Sequence, residues 1–305
     1  MSRYADAEPE CIEKAGPVAL VIEARPRDLG GFTVGRVLPS RLRRMVGPFI
    51  FLDHLGPSWF EPGTGIDVRP HPHIGLATVT YLFEGAFMHR DSLGNAQVIE
   101  PGAVNWMNAG RGIVHSERTP AELRKRGIRV HGLQFWVALP REYEESEPGF
   151  QHCSRDSLPV IDRDGVAMTL IAGRAFGETA PVKTLSPLFY IDAAMHAGGR
   201  LTLPAEYEDR AVFPIDNAVT VDGAICEANA LAVLESGVEV EIAAEADTRV
   251  MLFGGDPLDG ERLIWWNLVA SRQELIEAAK RDWAAGRFSK VPGDEHEFIP
   301  LPDYP

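Results

Sequence analysis

Short apolar segments separated by turn residues recur along this chain and indicate that β-strands are its main element. The runs at 18–22, 32–38 and 46–55 are apolar or alternate with polar positions, as expected of strands with a buried face. Between 77 and 107 such runs follow one another closely, divided by turns rich in Gly, Pro and Asn. This pattern predicts an antiparallel barrel or jelly roll.

The same spacing of apolar runs occurs twice, which predicts two tandem barrels. Residues 1–16 are acidic and lack periodicity, so we expect a flexible tail there. Residues 17–140 are predicted to form an N-terminal barrel, and the acidic, irregular stretch 141–158 a linker. Residues 159–305 are predicted to form a C-terminal barrel with a terminal helix. The predicted fold class is therefore all-β.

The terminal helix is predicted from a change in the spacing of apolar residues in the last part of the chain. Apolar residues recur at helical spacing from Leu275 to Trp283. Ser271, followed three positions later by Glu274, has the pattern of a capping box, and Gly286 is expected to end the helix. The apolar stripe predicts packing on the outside of a barrel.

Composition excludes several classes of protein. A chain of 305 residues with 45% hydrophobic and 24% charged residues is typical of a folded globular protein. Its formal net charge of −14 argues against direct binding to nucleic acid, which requires clustered Lys and Arg. Cys11, Cys153 and Cys226 are widely spaced, which supports neither a disulfide framework nor a thiolate metal site. With no apolar leader and no long apolar run, we expect a soluble cytoplasmic protein without membrane contact. We also expect a monomer.

Two segments carry residues that are typical metal ligands at alternate positions. His71 and His73 share one face of an extended strand, and His115 and Glu117 repeat this arrangement. If the two segments pair, or face each other across a narrow barrel, three imidazoles and one carboxylate converge. That donor set suits a divalent transition metal, with positions left for water or substrate.

Other polar residues near these segments are not assigned as ligands. His54 lies in an apolar run and is interpreted as a buried core histidine, whereas His89 is interpreted as a surface residue or one lying behind the ligands. His131 fits either a core or a site position, and Arg111, between two glycines, would contact substrate or brace its loop. In the second half His196 stands alone on a predicted turn, so we expect no second metal in that barrel.

Five short motifs surround the candidate ligands, and together they resemble one family. They are RPHPHIG at 69–75, TYLFEG at 80–85, PGAVNWM at 101–107, AGRGIVHSE at 109–117 and GLQFWV at 132–137. This combination resembles the pirin family of the cupin superfamily, densely over the first half and more loosely over the second. Most cupins place a glutamate shortly after the His pair, where this chain has Ala77 and Thr78; the pirin variant instead uses the position of Glu117.

The resemblance implies a fold, a metal and an activity. It implies a bicupin whose N-terminal domain holds one metal, with Fe(II) preferred over Mn, Co, Ni, Cu or Zn, through His71, His73, His115 and Glu117. It implies a quercetin 2,3-dioxygenase-like oxidoreductase that acts on a flavonol and O₂, with Glu117 as the candidate catalytic base. An alternative is a redox-responsive transcriptional co-regulator that acts through contact with a protein partner. A sugar isomerase that needs no oxygen is a third interpretation.

Overall fold

The computed structural model describes residues 16–29 and 31–303, and in this range β-strands dominate, with α-helices at only two places. Most of the predicted tail, residues 1–15, lies outside the described residues. The first part of the chain forms β1 (Val18–Glu23), β2 (Arg25–Asp28), β3 (Thr33–Leu38), β4 (Phe49–Phe60), β5 (Asp67–His73), β6 (Leu76–Glu84), β7 (Phe87–Asp91), β8 (Ala96–Ile99), β9 (Val104–Asn108), β10 (Ile113–Arg118), α1 (Ala121–Arg126), β11 (Ile128–Ala138) and β12 (Gly149–Cys153).

The second part repeats this strand-rich pattern and ends in the longer helix. After a short 3-10 turn at Arg155–Ser157 it forms β13 (Val160–Arg163), β14 (Val166–Ala175), β15 (Glu178–Thr179), β16 (Leu188–Met195), β17 (Arg200–Leu203), β18 (Asp209–Pro214), β19 (Val219–Val221), β20 (Ala224–Cys226), β21 (Ala230–Leu234), β22 (Val240–Ala244), β23 (Thr248–Gly255), β24 (Leu263–Trp265), β25 (Leu268–Ala270) and α2 (Gln273–Ala284).

Each half builds one large and one small antiparallel sheet. The first half has a seven-stranded sheet in the order β12-β9-β6-β11-β4-β3-β2 and a four-stranded sheet in the order β5-β10-β7-β8. The second half has an eight-stranded sheet, β1-β21-β18-β23-β16-β14-β13 with β15 on β14, and a four-stranded sheet, β17-β22-β19-β20. This architecture confirms the predicted class of two tandem jelly-roll barrels with a C-terminal helix.

The two large sheets face each other across a shared aromatic core. Phe49 and Phe135 of the first half contact Tyr190 and Phe253 of the second, all four rings being almost completely buried. The ring centroid of Phe135 lies 4.9 Å from that of Tyr190 and 4.9 Å from that of Phe253, in edge-to-face geometry. Because aromatic rings attract one another in this geometry and bury large apolar areas, the cluster holds the two barrels together.

Two strands pair outside the domain or linker to which the sequence analysis assigned them. β1, at the start of the predicted N-terminal domain, pairs with β21 in the sheet of the second half. β12, inside the predicted linker, pairs with β9 at the edge of the seven-stranded sheet. The pairing partner of an edge strand is chosen by tertiary packing, which a local alternation of residues does not encode. The other expected domain boundaries stay predictions.

The end of the chain returns to the first barrel. The β24–β25 hairpin meets the end of β5 through a parallel bridge between Leu268 and Ile74. The buried face of α2, Ile276 and Ala279, packs in the same apolar cluster as Ile74. Elements that follow the second barrel in sequence therefore close one end of the first, next to His73.

The helix was predicted correctly, but its capping box was wrong. α2 begins at Gln273, and Ser271 lies outside it. The Ser271 hydroxyl donates to Glu144 Oε1, and its backbone N–H to Oε2, each at 2.8 Å. Glu144 is a nearly buried carboxylate from the predicted linker, and it uses the hydroxyl that would otherwise cap the helix.

Two further expectations can be compared with the described residues. Of the three cysteines, Cys153 and Cys226 are free thiols, and Cys11 lies outside the described residues. Within residues 16–29 and 31–303, neither helix has the length and apolar character needed to cross a membrane.

Candidate metal centre

The candidate ligands lie on two adjacent strands of the four-stranded sheet. β10 lies between β5 and β7, with His115 opposite His71 on one side and Glu117 opposite His89 on the other. The register with β5 shifts between these positions. His115 is paired with His71, but Glu117, two residues later on β10, is paired with Val68, three residues earlier on β5. β5 therefore carries the extra residue of a bulge, at a place where it contains Pro70, which has no N–H for the ladder.

Three imidazoles converge at one point. One nitrogen from each of His71, His73 and His115 lies within 4.8 Å of the other two. The Nε2 atoms of His73 and His115 are 3.1 Å apart. All three side chains are buried, with at most 6% exposed. Nitrogens about 2.0–2.1 Å from a common transition-metal ion would be roughly 3 Å from one another, so the donors fit such an ion.

Two of the three imidazoles are fixed through the nitrogen that faces away from the cluster. His71 donates from Nδ1 to the carbonyl oxygen of Arg69 at 2.8 Å, and His73 from Nδ1 to that of Asn267 at 2.9 Å. A carbonyl can only accept, so each Nδ1 carries the proton and each Nε2 carries a lone pair in the neutral ring. Hydrogen bonds of this kind orient ligand histidines in metal sites.

Burial keeps the triad in the form that binds metal. It lowers the pKa of His71 to about 4. Burial, together with His71, lowers the pKa of His73 well below its usual value, and burial with both other imidazoles does the same for His115. The rings are neutral near pH 7, so their lone pairs are available to a cation.

Glu117 lies on the same strand as His115 but is held differently. Its carboxylate is not part of the group of donors within 4.8 Å of one another. Instead Oε1 accepts a hydrogen bond of 3.0 Å from the Thr80 hydroxyl, which also lies 3.0 Å from Gln134 Oε1. Burial raises the pKa of Glu117, against smaller opposing effects of His89 and Thr80. A buried carboxylate of this kind can act as a proton acceptor beside the triad.

His89 lies behind the ligands and not at the surface. It is 3% exposed, stacks on Phe150 with ring centroids 4.5 Å apart, and has its ring centroid 5.4 Å from that of His115. Its Nε2 is 3.1 Å from Asp91 Oδ2. His89 and Asp91 are alternate residues of β7, so the same spacing rule that located the ligands also applies to this pair.

The remaining residues singled out in the sequence fall into two groups. Arg111 forms an ion pair with Glu147, and its backbone N–H donates to the carbonyl of Ser146 at 2.8 Å, so it braces its loop. His54 and His131 are buried and bonded to each other, away from the triad.

Sequence reasoning missed three groups that shape the triad: the Asn267 carbonyl, the Thr80 hydroxyl and the indole of Trp136. The Trp136 ring packs edge-on against His73, with centroids 5.2 Å apart. A backbone carbonyl leaves no signal in side-chain identity. Thr80 and Trp136 occur inside apolar strands, where nothing local distinguishes them from ordinary core residues.

Comparisons with known proteins agree with this architecture. Residues 31–137 match the family model named Pirin, and residues 190–289 match the model of the pirin C-terminal cupin domain. A pirin-like protein of Caulobacter vibrioides is 50% identical over 289 residues, which cover 94% of this chain and all of that protein.

Two further relatives carry the name of an enzyme. A protein of Pseudomonas aeruginosa, provisionally named a quercetin 2,3-dioxygenase, is 39% identical over 97% of this chain and 94% of its own length. The crystal structure of a quercetin 2,3-dioxygenase from Acinetobacter baumannii superposes with a TM-score of 0.87 at 36% identity, covering 93% of this chain and 95% of that one. From its two matched domains and its full-length relatives, this chain belongs to the pirin family.

Proposed function

We propose that this protein is a metal-dependent dioxygenase that cleaves flavonols such as quercetin with O₂. The observation that carries the proposal is the buried triad of His71, His73 and His115, with two of its rings fixed through Nδ1. The likeness to a structure named as a quercetin 2,3-dioxygenase supports the choice of reaction.

The donor set fits a borderline divalent metal. Three neutral imidazoles, with the Glu117 carboxylate two residues after His115 on β10, are typical ligands for iron and for the later first-row metals. We propose Fe(II) as the native ion, with Glu117 as the fourth ligand. When bound, the metal would supply an open position for oxygen donors and would stabilise a deprotonated substrate hydroxyl.

In this mechanism, residues of the chain hold the ligand rings in place, exclude water and accept a proton. Glu117 accepts the proton of the flavonol 3-hydroxyl, and the Thr80 hydroxyl keeps the carboxylate aligned beside the triad. Trp136 packs against His73 and excludes water from one side of the ligand. The Arg69 and Asn267 carbonyls hold the rings of His71 and His73, so that substrate meets a preorganised site.

The test is aerobic incubation of the iron-loaded protein with quercetin, followed by the flavonol absorbance. The wild-type protein should bleach this absorbance, and His73→Ala should abolish the reaction together with metal retention. His196→Ala is the matched control, because His196 is exposed on the second barrel and should leave the rate unchanged. Unchanged absorbance at full metal occupancy would contradict the proposal and favour the co-regulator interpretation, in which the metal serves contact with a protein partner.

A further inference from the structure

A second pair of histidines lies in a cleft between the two barrels. His54 of β4 and His131 of β11 line a cavity of about 560 Å³ whose other wall includes Ile215, Asp216 and Asn229 of the second barrel. Both histidines are 6% exposed. They belong to the seven-stranded sheet, whereas the triad belongs to the four-stranded sheet, so the two clusters are separate.

The pair has the geometry of two ligands to one ion. The Nε2 atoms of His54 and His131 are 2.8 Å apart, close to the 3.1 Å that separates the Nε2 atoms of His73 and His115 in the triad. Two nitrogens at that separation subtend roughly 86° at an ion about 2.05 Å from each, which is the angle between neighbouring ligands in octahedral or square-planar coordination.

The surroundings supply neutral imidazoles and a nearby anion. Burial, with the neighbouring His131, lowers the pKa of His54 to about 4, and burial lowers that of His131 to about 4. The exposed carboxylate of Asp216 raises the pKa of both rings, against the effect of burial, because its negative charge lies near them. Two neutral rings can share only one hydrogen bond through their Nε2 atoms, and a cation can instead use both lone pairs.

A further polar side chain, Asn229, lies against His54. A hydrogen bond between the Asn229 and His54 side chains raises the pKa of the ring against the effect of burial, as expected when the amide oxygen accepts from it. Both imidazoles can present Nε2 to an ion only if each carries its proton on Nδ1. The Asn229 side-chain oxygen, an acceptor beside the His54 ring, is suited to that tautomer.

We propose that His54 and His131 form a second binding site for a divalent transition-metal ion, distinct from the triad and open to the cleft between the barrels. Imidazole nitrogen favours Cu²⁺, Ni²⁺ or Zn²⁺ over hard cations. The Asp216 carboxylate of the opposite barrel lines the same cleft, and its negative charge favours a cation there. With two imidazoles in place of three, the site binds its ion more weakly than the triad does.

The test uses the full chain and Zn²⁺ alone, with metal content measured after equilibrium dialysis near neutral pH. The wild-type protein should bind two equivalents, and the double variant His54→Gln, His131→Gln should bind one. His196→Gln, which removes an exposed histidine, should still bind two. Replacement of the three triad histidines by Gln should leave one equivalent. A single equivalent in the wild type, or two in the double variant, would overturn the proposal.

A second measurement does not depend on the folding of any variant. Cu²⁺ is added to the wild-type protein, and the electron paramagnetic resonance spectrum at one equivalent is subtracted from that at two. The difference should show hyperfine splitting from two imidazole nitrogens. A difference signal without nitrogen splitting would overturn the proposal and leave the pair as a hydrogen bond between two strands of the first barrel.

Discussion

His73 donates the proton on its Nδ1 atom to the backbone carbonyl of Asn267, 2.9 Å away, although the two residues are 194 positions apart in the chain. The acceptor lies in the turn of the β24–β25 hairpin, which follows the second barrel in sequence. One ring of the candidate metal centre is thus oriented by an element from the far end of the chain. The position of this hairpin should therefore control metal affinity in the first barrel.

Gly75→Ala tests this dependence. Gly75 has φ +65°, and a Cβ there would be 2.1 Å from the carbonyl oxygen of Val269, so the substitution should push β25 away and break the contact of His73 with Asn267. Loss of such an orienting hydrogen bond typically lowers metal affinity by about 10–100-fold. Metal-binding titration checks the result. Gly223→Ala is the matched control, because Gly223 has φ +82° with open space around it, and it should bind metal as the wild type does.

The histidine pair in the cleft should make the metal-free protein sensitive to mild acid. The pKa of His54 is about 4 in the folded protein against a usual value of 6.5, and that of His131 is lowered similarly, with Asp216, Arg129 and Arg249 as the charged groups that act on the pair. The unfolded chain therefore binds more protons between these values, so the free energy of unfolding decreases as the pH falls from about 6.5 towards 4.

The expected size of this effect is on the order of 1 kcal/mol per histidine at pH ~5.5. Thermal melting at pH 7 and pH 5.5, with a chelator present, measures it. The double variant His54→Gln, His131→Gln should lose less stability between the two pH values than the wild type. An equal loss in both proteins would contradict the prediction.

Arg118 fastens the segment after α2 to the first barrel. Its Nε and Nη2 donate to the two oxygens of Asp294 at 2.7 and 2.8 Å, and Nη2 also donates to Glu297. Such bidentate pairs are stronger than ordinary ion pairs, but partial exposure weakens this one, so Arg118→Ala should lose about 1 kcal/mol of stability. Hydrogen exchange should speed up in residues 286–303. Lys125→Ala removes an exposed pair with Glu122 and should change neither quantity.

Phe135→Ala should destabilise both barrels together. The ring is fully buried between the large sheets, within 5.3 Å of the ring centroids of Phe49, Tyr190 and Phe253. Removing a buried phenylalanine side chain typically costs about 3–5 kcal/mol. Denaturant unfolding should show one transition shifted to lower concentration. Phe298→Ala removes a ring that is 57% exposed and should shift the transition by roughly 0.5 kcal/mol or less.

The sequence by itself determined the strands and the face on which the candidate ligands lie. Alternation of apolar and polar residues is a local property, and so is the rule that residues two apart in a strand share a face. His71 and His73 on β5, and His115 and Glu117 on β10, follow directly from that rule. The terminal helix was predicted for the same reason, since its period is also local.

Tertiary structure decided which segments meet. β1 pairs with β21 in the other half of the chain, Ser271 bonds Glu144 and does not cap α2, and His54 meets His131 across two strands. It also placed Thr80 beside Glu117 and the Asn267 carbonyl behind His73. These contacts join residues far apart in sequence, and they depend on strand register and on how the sheets pack. Strand register and sheet packing cannot be predicted from a short window of residues, because both are selected by the total burial and hydrogen bonding of the folded chain.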